Sequence, residues 1–189
     1  MPLPRLTVVI ASTRPVRVGP AIARWFVGQA QQHGGYEVTV ADLKEVGLPL
    51  LDERQHPRLG QYEHEHTRRW AAIVGAADAF VFVTPEYNFG SPPSLINALD
   101  AVFREWHYKP AGFVSYGGIS GGMRSVQMTK QILPTLKVMP IPEAVAFPYV
   151  TKSLGPDGEL VPTAANDESA KVMLDELLRW ARALAPLRA

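Results

Sequence analysis

Ala79-Phe80-Val81-Phe82-Val83-Thr84-Pro85-Glu86-Tyr87-Asn88-Phe89-Gly90-Ser91-Pro92-Pro93 decides the fold. Its first five residues are an uninterrupted apolar run, the pattern of a strand covered on both faces. After the prolines, Leu95-Ile96-Asn97-Ala98-Leu99-Asp100 reads as a helix. Between them lies a loop rich in aromatic, glycine and proline residues. A loop of that kind, at the carboxyl end of a central strand, is where an open α/β sheet takes a flat ligand.

The pattern repeats on either side. Leu6 to Ala11 is a second β-branched run, followed by a polar turn and a helical pattern from Gly19 to Gln32, with Gly34-Gly35 to end it. Tyr36 to Ala41 is a strand, residues 43–60 a long ordered loop, and Gln61 to Ala77 a charged helix. The helix after the opening loop spans Ser94 to Phe103. Ala111 to Tyr116 is a strand that runs into Gly117-Gly118-Ile119-Ser120-Gly121-Gly122 and a helix to Val138. Glu143 to Phe147 is a short fifth strand, Gly155 to Gly158 a turn, and Asp167 to Leu184 a closing amphipathic helix. Strands alternating with helices predict a parallel sheet with helices on both faces. Five such strands fit the flavodoxin-like three-layer sandwich of strand order 2-1-3-4-5, with its ligand crevice between strands one and three. No repeat or linker divides the chain, so residues 1–189 are expected to form one domain.

Composition narrows the chemistry. The chain has 189 residues, 47% of them hydrophobic and 20% charged, with a formal net charge of +1 and no cysteine. Disulfides, thiolate metal sites and a cysteine nucleophile are thereby excluded. There is no basic field to attract nucleic acid. No signal peptide is visible, and no apolar run approaches the roughly 18 residues of a membrane span. A cytoplasmic location is expected.

Three loops carry the candidate site. In the first, Ser12-Thr13-Arg14-Pro15-Val16-Arg17-Val18-Gly19, a helix start aims free backbone amides at the turn. Ser12 and Thr13 add hydroxyl donors, and Arg14 and Arg17 add charge suited to phosphate. A capped helix with two solvated arginines is the alternative. The glycine–lysine–hydroxyl ending of a P-loop is missing, as is GxGxxG. In the second loop, Asn88 and backbone amides can meet the edge of a heterocycle while Tyr87 or Phe89 covers its face. Gly90 allows close backbone approach. The plainer alternative is a turn in which Pro92 and Pro93 start the next helix. Glu86 reads as a polar or structural contact rather than a general acid. The third loop fits the GxSxG nucleophile pattern around Ser120, but that chemistry needs a histidine downstream and the last one is His107. Its glycines read better as clearance for a flat ligand. Glu63-His64-Glu65-His66 looks metal-like, yet residues two apart on a helix face different ways, so a solvated helix face is the better account. Trp106, Tyr108 and Tyr116 are equally readable as core or interface aromatics.

Taken in order, Ser12-Thr13-Arg14-Pro15-x-Arg17, Pro85-Glu86-Tyr87-Asn88, Asn97-Ala98-Leu99-Asp100 and Ser115-Tyr116-Gly117-Gly118 resemble the NADPH-dependent FMN reductase family. The resemblance runs from about residue 5 to 150. It implies a flavodoxin-like fold, FMN as cofactor and NADPH as cosubstrate. The acceptor would be small: a quinone, azo compound, flavin or metal ion. Carried over by position, it puts the FMN phosphate on Ser12, Arg14, Arg17 and the helix start at Val18-Gly19. The isoalloxazine then falls against Pro85, Glu86, Tyr87 and Asn88, with further contacts from Ser115, Tyr116, Gly117 and Gly118. Backbone amides of the Gly117-Gly118 turn would meet the flavin's polar edge. No protein side chain is assigned a catalytic role and no metal is expected. Two departures are Ala11 before Ser12, where the family often has glycine, and Ile96, where many members have lysine. The segment from Val46 to Asp52 resembles one that packs near a neighbouring subunit's flavin, which implies a homodimer or homotetramer. A flavodoxin-type electron carrier or a redox-sensing flavoprotein is the alternative, and an esterase using Ser120 a remote one. Electron carriers of that type are strongly acidic, unlike this chain.

Overall fold

The computed structural model describes residues 2–188. Five strands, β1 (Arg5–Ile10), β2 (Glu37–Asp42), β3 (Ala79–Pro85), β4 (Pro110–Tyr116) and β5 (Met139–Phe147), form one parallel sheet. The strand order is β2-β1-β3-β4-β5, as the alternation of elements predicts. Among the described residues six α-helices cover it: α1 (Gly19–His33), α2 (Leu43–Val46), α3 (Glu65–Ala76), α4 (Pro93–Asp100), α5 (Met123–Ile132) and α6 (Ala164–Leu184).

Alternation of side chains along each central strand builds two cores. Leu6, Val8, Ile10, Val81 and Val83 point to the layer of α1 and α6, against Ile22, Phe26, Met173 and Leu177. Val9, Phe80, Phe82 and Phe113 point the other way, onto Trp70, Leu95, Leu99 and Trp106. Every residue of β3 and of β4 is buried. A strand buried on both faces shows no polar alternation, which is why these two were legible as continuous runs.

Several boundaries differ from the sequence expectation, each for a local reason. β3 extends to Pro85, because Thr84 and Pro85 still register with Ser115 and Tyr116. β5 begins at Met139 rather than Glu143, since an edge strand tolerates Pro140 and Pro142. α5 stops at Ile132 instead of running to Val138; Pro134 lacks the N–H an α-helix needs and sits in a 3₁₀ turn, Leu133–Leu136. α3 starts at Glu65, four residues later than expected. α6 starts three residues earlier, at Ala164, because Thr163 and Asn166 close a reciprocal capping box. The segment 43–60 is not wholly irregular: it holds α2 and a 3₁₀ turn at Pro57–Leu59. Its middle is fixed by Asn97 of α4, whose side chain donates to the Pro49 carbonyl at 2.7 Å and accepts from the Leu51 amide at 2.9 Å.

Candidate active site

β1 and β3 are neighbours, and their loops leave toward opposite layers, so a crevice opens at their carboxyl ends. A cavity of about 240 Å³ lies there. Its walls are Ser12, Arg14 and Val16 to Val18 of the first loop, Pro85 to Tyr87 of the second, and Tyr116 and Gly117 of the third, closed by Val150 and Thr151. The three loops singled out in the sequence therefore converge. A larger cavity, about 520 Å³, lies elsewhere between the 51–57 segment and Val102-Phe103. Size does not decide between them, because only the first sits at the switch between β1 and β3.

The first loop presents anion donors. The helix cap, Val18, makes no side-chain capping bond, and the next residues are Gly19 and Pro20. Among the described residues, the amides of Thr13, Arg14, Val16, Arg17, Val18 and Gly19 have no backbone partner. Those unpaired donors and the α1 dipole favour a negative group at the turn. Arg14 is exposed and unpaired among the described residues. Thr13 is also exposed, and it faces a neighbouring cleft with Leu48 and Leu50. Arg17 is engaged. Its fork grips both carboxylate oxygens of Asp42 at 2.5 and 2.6 Å, and one arm also donates to the Ser12 carbonyl at 2.6 Å. Asp42 further caps α2 by accepting from the Lys44 amide.

Beneath the loop, the Ser12 and Tyr87 hydroxyls lie 2.9 Å apart and share a hydrogen bond. The Tyr116 hydroxyl is buried close to Ser12, whose hydroxyl is already shared with Tyr87, and makes no hydrogen bond of its own. Burial, with a smaller contribution from Tyr87, pushes its pKa well above the ordinary phenol value, so it stays a neutral donor. Gly19 lets the helix start approach it: a Cβ there would lie 3.0 Å from the Tyr116 oxygen. A buried hydroxyl without a partner, beside free amides, is the chemistry a phosphate ester completes.

In the second loop, Tyr87 and Gly90 exchange both backbone bonds, at 3.0 and 2.9 Å, around a two-residue turn. Asn88 and Phe89 at its tip have φ of 49° and 70°. Ser91 and Pro92 are buried and Pro93 opens α4, as the plainer alternative has it. Gly90 does permit a close approach, but the neighbour is Met128 of α5, 3.1 Å from where a Cβ would stand. Glu86 is buried to 8% exposure and fully engaged. It accepts from the Ser120 hydroxyl at 2.7 Å, the Arg124 amide at 3.1 Å and Arg124 Nε at 2.6 Å. Burial alone would raise its pKa, yet these donors outweigh it and hold the carboxyl below its usual range. It is an ionised strut, with no proton to give.

The reading of the third loop's glycines needs correction. They are mainly clearance for the chain itself: at Gly122, φ is 86° and a Cβ would lie 2.7 Å from the Tyr116 amide and 2.9 Å from Ser115 Cβ. Only Gly118 faces open space, and the Gly117 amide is already bonded to the Phe147 carbonyl. Ser120 donates to Glu86 and accepts from the Gly122 amide, while His107 precedes β4 at the other end of the sheet. No histidine can serve it. The histidine pair also differs from expectation. His64 is the cap of α3, not inside it, and its ring stacks on His66 at 5.1 Å. Among the described residues, no group of three metal-ligating side chains occurs.

Val150 and Thr151 line the cavity, Asp42 and Arg124 hold Arg17 and Glu86 that line it, and none of the four was found in the sequence. Asp42 had a findable signal, an acid ending β2 in register with the last residue of β1. Arg124 lies 38 residues from Glu86 and carried none.

A family model described as NADPH-dependent FMN reductase matches residues 4–152. The chain belongs to that family. An NAD(P)H-dependent FMN reductase of Schizosaccharomyces pombe is 36% identical over 168 residues, covering 80% of this chain and 84% of its own. One of Saccharomyces cerevisiae is 35% identical, covering 71% and 75%. A probable NADPH:quinone oxidoreductase of Oryza sativa is 32% identical, covering 69% and 67%. The solved flavoenzyme NAD(P)H:(acceptor) oxidoreductase FerB of Paracoccus denitrificans superposes with a TM-score of 0.72 over 96% of this chain and 98% of its own. At 20% identity that likeness concerns the fold. The chain is thus an oxidoreductase of the NAD(P)H-dependent FMN reductase type, and the family implies FMN and NAD(P)H.

Proposed function

We propose that this protein passes hydride from NADPH to bound FMN and the two reducing electrons on to a small acceptor: as hydride to a quinone, azo compound or flavin, or as electrons, with release of the proton, to a metal ion. The observation that carries the proposal is the set of uncommitted anion donors at the switch point: free amides of the first loop, Arg14, and the buried Tyr116 hydroxyl. These fit a phosphate ester, and Ser12 and the Val18-Gly19 helix start complete its cradle. Arg17 braces that cradle from beneath through Asp42. Pro85, Glu86 and Tyr87, with Tyr116 and Gly117 of the neighbouring strand end, form the wall for the ring; Asn88, exposed at the turn tip, and the buried Ser115 would complete the ring contacts from outside that lining. FMN, when bound, supplies a hydride carrier that no amino-acid side chain can replace. The protein's part is to bind, orient and exclude water, which accounts for a site without an acid–base triad.

The chain would act as one FMN-binding domain in the cytoplasm, on small molecules rather than nucleic acid. Among the described residues no helix is long and apolar enough to cross a membrane. The family resemblance of the Val46–Asp52 segment, on which Leu50 is 79% exposed, is the ground for assembly as a homodimer or homotetramer. Anaerobic titration of the FMN-loaded protein with NADPH tests the proposal. Loss of the oxidised-flavin absorption, with one NADPH consumed per FMN, is expected. A protein that binds FMN but leaves NADPH untouched would be an electron carrier instead.

A further inference from the structure

The tip of the second loop holds a conformation its sequence disfavours. A two-residue turn with both central φ values positive is the mirror-image turn that usually reads Asn-Gly. Asn88 satisfies the first position, but the second is Phe89, at φ 70°. A bulky side chain in that region is strained, and such strain persists where the surroundings enforce it. The residue is also 70% exposed, so core burial does not compensate.

What the ring meets is Arg124. The guanidinium carbon lies 3.8 Å from the ring centroid. One edge of the guanidinium, through Nε, is fixed to the Glu86 carboxylate. Its two Nη groups have no protein partner among the described residues, and the side chain is 41% exposed. Glu86 borders the cavity of the cofactor site, so Arg124 stands one side chain away from it. Nearby in the chain, Ile119 of the loop before α5 and Met123 at its first position are exposed apolar residues. A planar cation stacked on an aromatic face and tethered at one edge is pre-organised, with its remaining fork uncommitted.

We propose that the Phe89–Arg124 stack receives an anionic oxygen group, phosphate or sulfonate, on the reactant entering beside the cofactor, and so sets which reactants the enzyme prefers. This rests on the FMN reductase reading. The group can come from the dinucleotide donor or from an acidic aromatic acceptor; both present the same oxygens to the guanidinium fork.

Two variants test it in the FMN-loaded enzyme. Phe89→Gly restores the turn's preferred residue and keeps the Glu86–Arg124 pair, while Arg124→Gln removes the charge. Each is assayed with NADPH and with 1-benzyl-1,4-dihydronicotinamide, a donor without phosphate. Each is also assayed with 1,4-naphthoquinone-2-sulfonate and with uncharged menadione. The expected result is a fall of roughly tenfold in the charged-to-uncharged ratio of kcat/KM, the size of one charge-assisted hydrogen bond. The pair in which the ratio falls identifies the source of the anion. Phe89→Gly should keep or raise the melting temperature. Unchanged ratios for both pairs in both variants, with FMN retained, overturn the inference alone. If the unaltered protein binds no FMN, the functional reading fails and takes this one with it.

Discussion

At the scale of single residues, the site separates groups that hold the fold from groups held ready for a ligand. Tyr116 and Arg14 are ready, having no partner of their own. Tyr116→Phe removes a buried hydroxyl that the folded chain does not use, so the apoprotein should melt at the same temperature or slightly higher. FMN should bind about tenfold more weakly, and Arg14→Ala should weaken it further. Fluorescence titration of FMN into each apoprotein measures this, and equal affinity in all three would remove both residues from the cradle. Glu86 is the opposite case. Its folded pKa lies below the ordinary carboxylate value, held there by Ser120 and Arg124 against the cost of burial. Its contribution is therefore present above the unfolded pKa and lost as pH falls through the folded one. Glu86→Gln should melt lower than the unaltered protein at pH 7, and the gap should close below about pH 4. A gap that stayed constant across that window would show that the carboxylate charge is not what stabilises the loop.

At the scale of elements, the first loop is held by a neighbouring strand more than by its own helix. Arg17 reaches from the loop to Asp42 at the end of β2, with side chains 10% and 18% exposed. Breaking so sheltered a pair should cost about 2 kcal/mol, between the values for surface and fully buried ion pairs. If Arg17 acts on FMN only through this clamp, Arg17→Ala and Asp42→Ala should weaken FMN binding by the same factor. The double variant should then be no worse than either single one. A much larger loss for Arg17→Ala would instead make Arg17 a direct phosphate ligand. Such a clamp shows why part of the site was hidden in the sequence. β1, β3 and β4 announce themselves as apolar runs because burial on both faces is a local property of the residues. The loops that follow them could be placed from strand order alone. Arg17–Asp42 and Glu86–Arg124 depend on which loops face each other, and partners 25 and 38 residues apart leave no periodic trace. The same limit explains the glycines of the third loop. Their composition suggested room for a ligand, whereas Gly121 and Gly122 are needed where the chain turns back over Tyr116, Ala146 and Phe147.

At the scale of the whole molecule, two aromatic-rich layers on a sheet buried from both sides supply a rigid base, and the ligand loops hang from one end of it. Because the cradle is assembled from β1, β2, β3 and β4 together, a ligand seated there bridges most of the sheet and binds only the folded chain. Mass action then stabilises the fold by about 2.7 kcal/mol at one hundred times the dissociation constant. For a chain of 189 residues this corresponds to a rise of about 5–10 °C in melting temperature. Riboflavin carries the same ring without the phosphate. If the amides of the first loop, Arg14 and Tyr116 are the anchor, riboflavin at equal concentration should produce a much smaller rise, and Arg14→Ala should reduce the FMN shift toward the riboflavin value. Differential scanning fluorimetry of the apoprotein with each ligand makes the comparison directly. Equal shifts from FMN and riboflavin would mean that the wall of Pro85 to Tyr87 carries the affinity and the arginine-bearing turn does not.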